Sequence, residues 1–167
     1  MRKLTWKSDI FLNSFKIYEQ KEQIGLLKKV FLKKIFQAEI FGKQYTFISK
    51  GFYKQTTEIY DCNNILIGSV IHNGYIADSR IEIKENITLW KYVSSFRTKW
   101  EICEDYTDKI LLTYNGFLKS GSIESTSNDD LLILIGLFNH YKSNRFSNYS
   151  IALLAVMVII KVIDKLV

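Results

Sequence analysis

The chain has 167 residues, 47% of them hydrophobic and 14% aromatic, which suits one domain of ordinary size and excludes a disordered chain. It has no proline, two cysteines and a formal net charge of +6. That composition leaves no place for a polyproline linker or a disulfide scaffold, and it favours anionic partners such as phospholipid headgroups or nucleic acid.

Met1-Arg2-Lys3-Leu4-Thr5-Trp6-Lys7 carries charge with no apolar run behind it, so a secretory signal is not expected. Cys62 and Cys103 are then expected to be reduced thiols in a cytoplasmic protein, each a small buried hydrophobe. From here to residue 124 the chain reads as short β-candidates: 3–7, 14–19, 23–28, 35–41, 44–49, 53–60, 65–72, 75–83, 87–93, 99–104, 109–114 and 117–124. These strands, about twelve in all, are rich in Ile, Tyr, Phe, Thr and Trp. Phe41-Gly42-Lys43, Asp61-Cys62-Asn63-Asn64 and Lys84-Glu85-Asn86 separate them with residues that accept tight or left-handed turns. Many short strands at regular spacing predict an antiparallel sandwich or barrel.

An internal repeat sharpens this expectation. Ile24-Gly25 recurs as Ile67-Gly68, Glu39-Ile40 as Glu82-Ile83, Phe47 as Trp90 and Glu58-Ile59 as Glu101-Ile102, all at an offset of forty-three positions. A unit of a strand, a hairpin and a further strand cannot bury its own apolar face, so the second copy is expected to continue the same wall.

The chain then changes character. Ser127, Asn128, Asp129 and Asp130 offer an N-cap and negative charge for a helix over 129–141, whose Leu131-Leu132-Ile133-Leu134-Ile135-Gly136-Leu137-Phe138 has no polar side chain. A helix apolar on every face has to be wrapped on every face. His140 is read as its exit to solvent. Ser147 or Asn148 can cap a second helix from Tyr149 to Asp164 around the apolar run Ile151 to Ile160, which is shorter than the roughly twenty residues a membrane span needs. Residues 146–167 are therefore expected either to pack on or in the barrel, or to form a membrane-associated tail with Tyr149, Lys161 and Lys165 at the interface.

About twelve short strands leading into Asp129-Asp130-Leu131-Leu132-Ile133-Leu134-Ile135-Gly136-Leu137-Phe138 resemble the tubby C-terminal-like superfamily, which also holds the phospholipid scramblases and the plant LURP-one-related proteins. As a pattern the resemblance covers roughly residues 3–141, and the tail from Ser143 to Val167 departs from it, which leaves open which of the two apolar runs fills the barrel. The resemblance implies a closed β-barrel around a central apolar helix, no enzymatic activity, and contact with membranes or phosphoinositides. On this view residues 1–145 form one barrel domain.

The sharpest site candidate is Lys28-Lys29-Val30-Phe31-Leu32-Lys33-Lys34, an apolar tip between two lysine pairs. In a loop, Phe31 could enter the acyl boundary while Lys28, Lys29, Lys33 and Lys34 meet anionic headgroups. The corresponding stretch of the second copy, Ile71 to Ala77, has no lysine, so the fold itself does not demand these cations. The alternative is a plain strand connection with Val30 and Leu32 packed inward. Lys54 and Arg97, at matching repeat positions, extend the basic face together with Lys50 and Lys99. Nucleic acid is a weaker candidate, resting on Phe52, Tyr53, Phe96 and Trp100 among basic residues without a recognised motif.

Catalytic chemistry finds no foothold. His72 and His140 have no cysteine or carboxylate at ligand or triad spacing, and Glu101, Glu104, Asp105 and Asp108 read as a solvated turn sooner than a hard-cation site. The expectation is a mainly β, non-catalytic domain without cofactor or metal, binding anionic phospholipid at a membrane surface through Lys28, Lys29, Phe31, Lys33, Lys34, Lys54 and Arg97. A soluble protein-interaction domain without lipid affinity and a tail-anchored membrane protein are the alternatives.

Overall fold

Alternating apolar and polar residues, punctuated by turn formers, build twelve strands around one helix in the computed structural model, which describes residues 1–9, 13–51, 55–73, 78–117 and 119–144. The strands are β1 (Arg2–Ser8), β2 (Ser14–Glu19), β3 (Glu22–Lys29), β4 (Ile35–Ile40), β5 (Lys43–Lys50), β6 (Thr56–Asp61), β7 (Leu66–Asn73), β8 (Asp78–Ile83), β9 (Asn86–Tyr92), β10 (Lys99–Glu104), β11 (Ile110–Phe117) and β12 (Ser120–Ser125). The helix α1 spans 131–144. Each strand pairs antiparallel with its sequence neighbours, and β1 pairs with β12 to close the barrel. The expected second helix, 149–164, lies outside the described residues.

Turn chemistry explains the connections. Phe41 and Gly42 take φ of 49° and 74° between β4 and β5, and Lys84 takes 55° between β8 and β9. The Asp61 carboxylate accepts hydrogen bonds from the Asn63 and Ile65 amides, both at 2.9 Å, and holds the turn in which Asn64 has a φ of 61°. Strands 14–19 and 99–104 coincide with the sequence reading, while the break expected at Asn115-Gly116 is absent. Those residues stay in the ladder, Asn115 opposite Ser122 and Gly116 opposite Gly121. The glycines serve packing there: a Cβ on Gly121 would lie 2.7 Å from Trp6 Nε1.

The forty-three-residue offset carries β4 onto β8 and β6 onto β10 residue for residue. Ladder irregularities fall between Ile17 and Tyr18, Ile59 and Tyr60, and Ile102 and Cys103, so one bulge recurs every fourth strand. An extra residue at each bulge bends the strand and sharpens its twist, which helps the long meander curl shut.

Inward positions form the core. Along β4, Phe36, Ala38 and Ile40 point in, while Gln37 and Glu39 point out. Residues 131–141 of α1 are all buried inside the wall, which settles which apolar run fills the barrel. Phe138 packs edge-on between Phe36 and Phe47, each at 5.2 Å between ring centroids. Asp129 caps the helix, its carboxylate accepting from the Leu131 amide at 3.0 Å, and Arg2 bonds Asp130 at 2.8 Å and Glu19 at 3.1 Å, tying the helix entry to β1 and β2.

Two expectations are corrected. His140 is no exit to solvent: it is buried and stacks on Trp100 with centroids 3.9 Å apart, because the barrel wall extends past it and α1 continues to 144. Cys62 is exposed in the β6–β7 turn, whereas Cys103 is buried as expected.

Candidate functional site

In a closed meander, odd-to-even connections lie on one rim and even-to-odd connections on the other. The first rim receives the end of α1 and gathers most of the residues singled out in the sequence. Lys28 and Lys29 end β3, and the link 30–34 is pinned by Val30 N–H donating to the Ile35 carbonyl at 2.9 Å and Lys33 N–H to the Val30 carbonyl at 3.2 Å. That turn places Phe31 84% and Leu32 87% exposed, so Leu32 does not pack inward as the alternative reading expected. Leu32 also holds a φ of 57°, an unfavoured conformation for a residue with a Cβ. Lys28, Lys33 and Lys34 are exposed, Lys29 is half-buried, and among the described residues none of the four has an ion-pair partner.

The neighbouring connections continue the pattern. Phe96 is 86% exposed between β9 and β10, Phe117 is exposed at the end of β11, and Lys119 follows it. Lys50 pairs with Glu58, which lies outward on β6 and also accepts from Tyr60; the bond holds the Glu58 carboxyl below its ordinary range and raises the Lys50 ammonium. Lys99 pairs with Glu101 at 3.0 Å, which separates Glu101 from the other acidic residues of its cluster. Lys54 lies outside the described residues, as do Phe52 and Tyr53.

Arg97 belongs to the rim but turns toward α1. Its guanidinium sits 5.5 Å over the Tyr92 ring and donates to Ser143 Oγ at 3.4 Å. Lys142 donates to Gln55 Oε1 at 2.9 Å, and burial, followed by the charge of Lys34, pushes its ammonium down to about 8. Lys142 was missed in the sequence because it joins the rim only through the helix; its one signal is its place at the polar end of the apolar run. The sequence pattern starts a strand at Phe117, whereas the residue ends β11 and is exposed on this rim. Trp100 is wholly buried in the core, which removes it from any base-stacking surface.

The opposite rim has the contrary charge balance. Glu19, Glu22, Glu85, Glu104, Asp105 and Asp108 sit in or beside its turns, with Arg2, Lys21, Lys43, Lys84 and Lys109 as nearby cations. The barrel is thus polarised along its axis, basic at the end of α1 and acidic at its start.

The histidines lie within the wall. His72 bonds Thr57 Oγ1 at 3.3 Å and Ser79 Oγ at 3.0 Å, and His140 bonds Tyr92 Oη at 3.1 Å and Asn144 Nδ2 at 3.0 Å. Burial pushes each imidazole down to about 3, so both are neutral at pH 7. Among the described residues no group of three or more His, Cys, Asp or Glu could hold a metal ion, and no helix is long and apolar enough to cross a membrane. Comparisons with family models, with curated proteins and with solved structures give no match to this chain.

Proposed function

We propose that this chain is a non-catalytic, tubby-like domain that docks its basic rim on anionic phospholipid at a membrane surface. The observation that carries the reading is the Phe31–Leu32 tip, exposed and flanked by Lys28, Lys29, Lys33 and Lys34 without ion-pair partners among the described residues. Each cation near an anionic surface contributes about 1 kcal/mol, and sinking an aromatic side chain out of water about 1.5–3 kcal/mol. One tip gives weak, reversible attachment; Phe96 and Phe117 on the same rim add to it. In this reading the run Ile151 to Ile160 forms a second helix lying at the interface.

Co-sedimentation of the full chain with vesicles tests the reading. Vesicles containing phosphatidylserine are expected to carry the protein down and neutral phosphatidylcholine vesicles to leave it in solution. Lys→Glu changes at Lys28, Lys29, Lys33 and Lys34, and separately Phe31→Ser with Leu32→Ser, are each expected to weaken binding about tenfold or more. Binding that ignores lipid charge and these substitutions, or no binding to either vesicle, overturns it in favour of a soluble interaction domain.

A further inference from the structure

The acidic rim holds a cleft of about 460 Å³ beside the start of α1, between the β8–β9 and β10–β11 turns and the segment entering the helix. That volume lies in the range of about 300–1,000 Å³ usual for small-ligand sites. Its walls combine Glu85, Glu104 and Asp105 with Ile83, Ile87 and Leu132, and among the described residues no Lys or Arg lines it. Glu104 is already engaged, accepting from Thr107 Oγ1 at 2.6 Å with Lys109 at 3.8 Å, whereas Glu85 and Asp105 have no ion-pair partner among the described residues. Thr88 supplies a separate observation. It lines the cleft, is only 7% exposed, and its hydroxyl has no hydrogen-bond partner among the described residues. A buried hydroxyl without a partner costs free energy until something bonds it, and this one lines the same cleft as Glu85 and Asp105.

We propose that this cleft binds an aliphatic ammonium group on an apolar stem, carried either by a free polyamine or by a lysine side chain of a peptide. The ammonium N–H groups donate to Glu85, Asp105 and Thr88 Oγ1, while the methylene stem lies on the Ile83, Ile87 and Leu132 side chains. A hydrated divalent metal suits the site poorly: only two of its carboxylates are uncommitted, and the aliphatic wall offers a hydration shell nothing. The inference is independent of lipid docking, which uses the other rim.

Isothermal titration of the full chain at low salt provides the test, with spermidine, a short lysine-containing peptide and magnesium chloride as probes. Saturable one-to-one binding of spermidine or of the peptide, with neither reproduced by magnesium, is expected. Heat with spermidine alone assigns a free polyamine, and heat with the peptide alone assigns a basic side chain. The double variant Glu85→Gln with Asp105→Asn is expected to weaken binding roughly tenfold or more, and Thr88→Val, which keeps the shape, several-fold with unchanged circular dichroism. No saturable heat with either organic probe, equal binding of magnesium, or affinity unmoved in the folded variants overturns the proposal.

Discussion

Tyr114 on β11 and Gly136 on α1 occupy space that no second side chain could share. The phenol donates to the Leu132 and Ile133 carbonyls at 3.0 and 3.2 Å, and a Cβ on Gly136 would stand 2.2 Å from its oxygen. The ring has no room to retreat, because it stacks on Trp100 at 5.3 Å between centroids. Glycine in mid-helix costs about 1 kcal/mol relative to alanine, so propensity alone favours Gly136→Ala. Overpacking of a tight core costs about 1–3 kcal/mol or more and decides the sign. Gly136→Ala is expected to lower Tm by several degrees in thermal unfolding, and Tyr114→Leu in the same chain to recover part of that loss, so that the two changes are not additive.

The buried imidazoles make the fold sensitive to acid. His72 and His140 are held near 3 by burial, below their ordinary 6.5, so between these values the unfolded chain binds protons that the folded chain refuses. Stability is complete above about 6.5 and falls as pH drops toward 3, by about 1.4 kcal/mol per pH unit for each imidazole. Chemical denaturation across this window should give the slope, and His140→Phe should remove one proton from it.

Asn139 is wholly buried on α1, and among the described residues neither its amide nitrogen nor its oxygen has a hydrogen-bond partner. Burying such a group without compensation costs about 1–3 kcal/mol. Asn139→Leu, of similar length, is expected to raise the urea midpoint by a corresponding amount without changing the m-value.

Lys142 should give the basic rim a pH dependence. Its folded value of about 8 lies below the ordinary 10.5, so stability rises with pH between these limits, and Lys142→Met should lose that rise when the two chains are compared. Deprotonation also removes a cation from the lipid-facing rim. Vesicle binding is expected to weaken as pH climbs through 8 in the native chain, and to weaken less in Lys142→Arg.

The strands were legible because each is short, alternating and bounded by residues such as Gly42 and Asn64 that take left-handed backbone. The filling of the barrel was legible because Leu131 to Phe138 has no face that tolerates water. The helix end was not. Asn139, His140 and Ser143 look like an exit, but all three are buried: the described part of the helix, 131–144, is about 21 Å long and stays within the wall, so wall height and not composition decides their burial. Lys28, Lys29, Phe31, Lys33 and Lys34 could be found because they are contiguous. The Arg97–Ser143 and Lys142–Gln55 links join residues far apart in sequence and depend on register around the whole barrel.

Pairing of β1 with β12 leaves the sheet without an edge, but it also sets a timetable for the nascent polypeptide. While the ribosome is still adding residues, β1 has only one of its two partners, and Arg2 waits for Asp130. The seam can form only after Ser125 has emerged, so until then two unpaired margins are available to other chains. A helper that shields the newborn amino-terminal strand would matter more here than in a fold whose neighbours all arrive in sequence order.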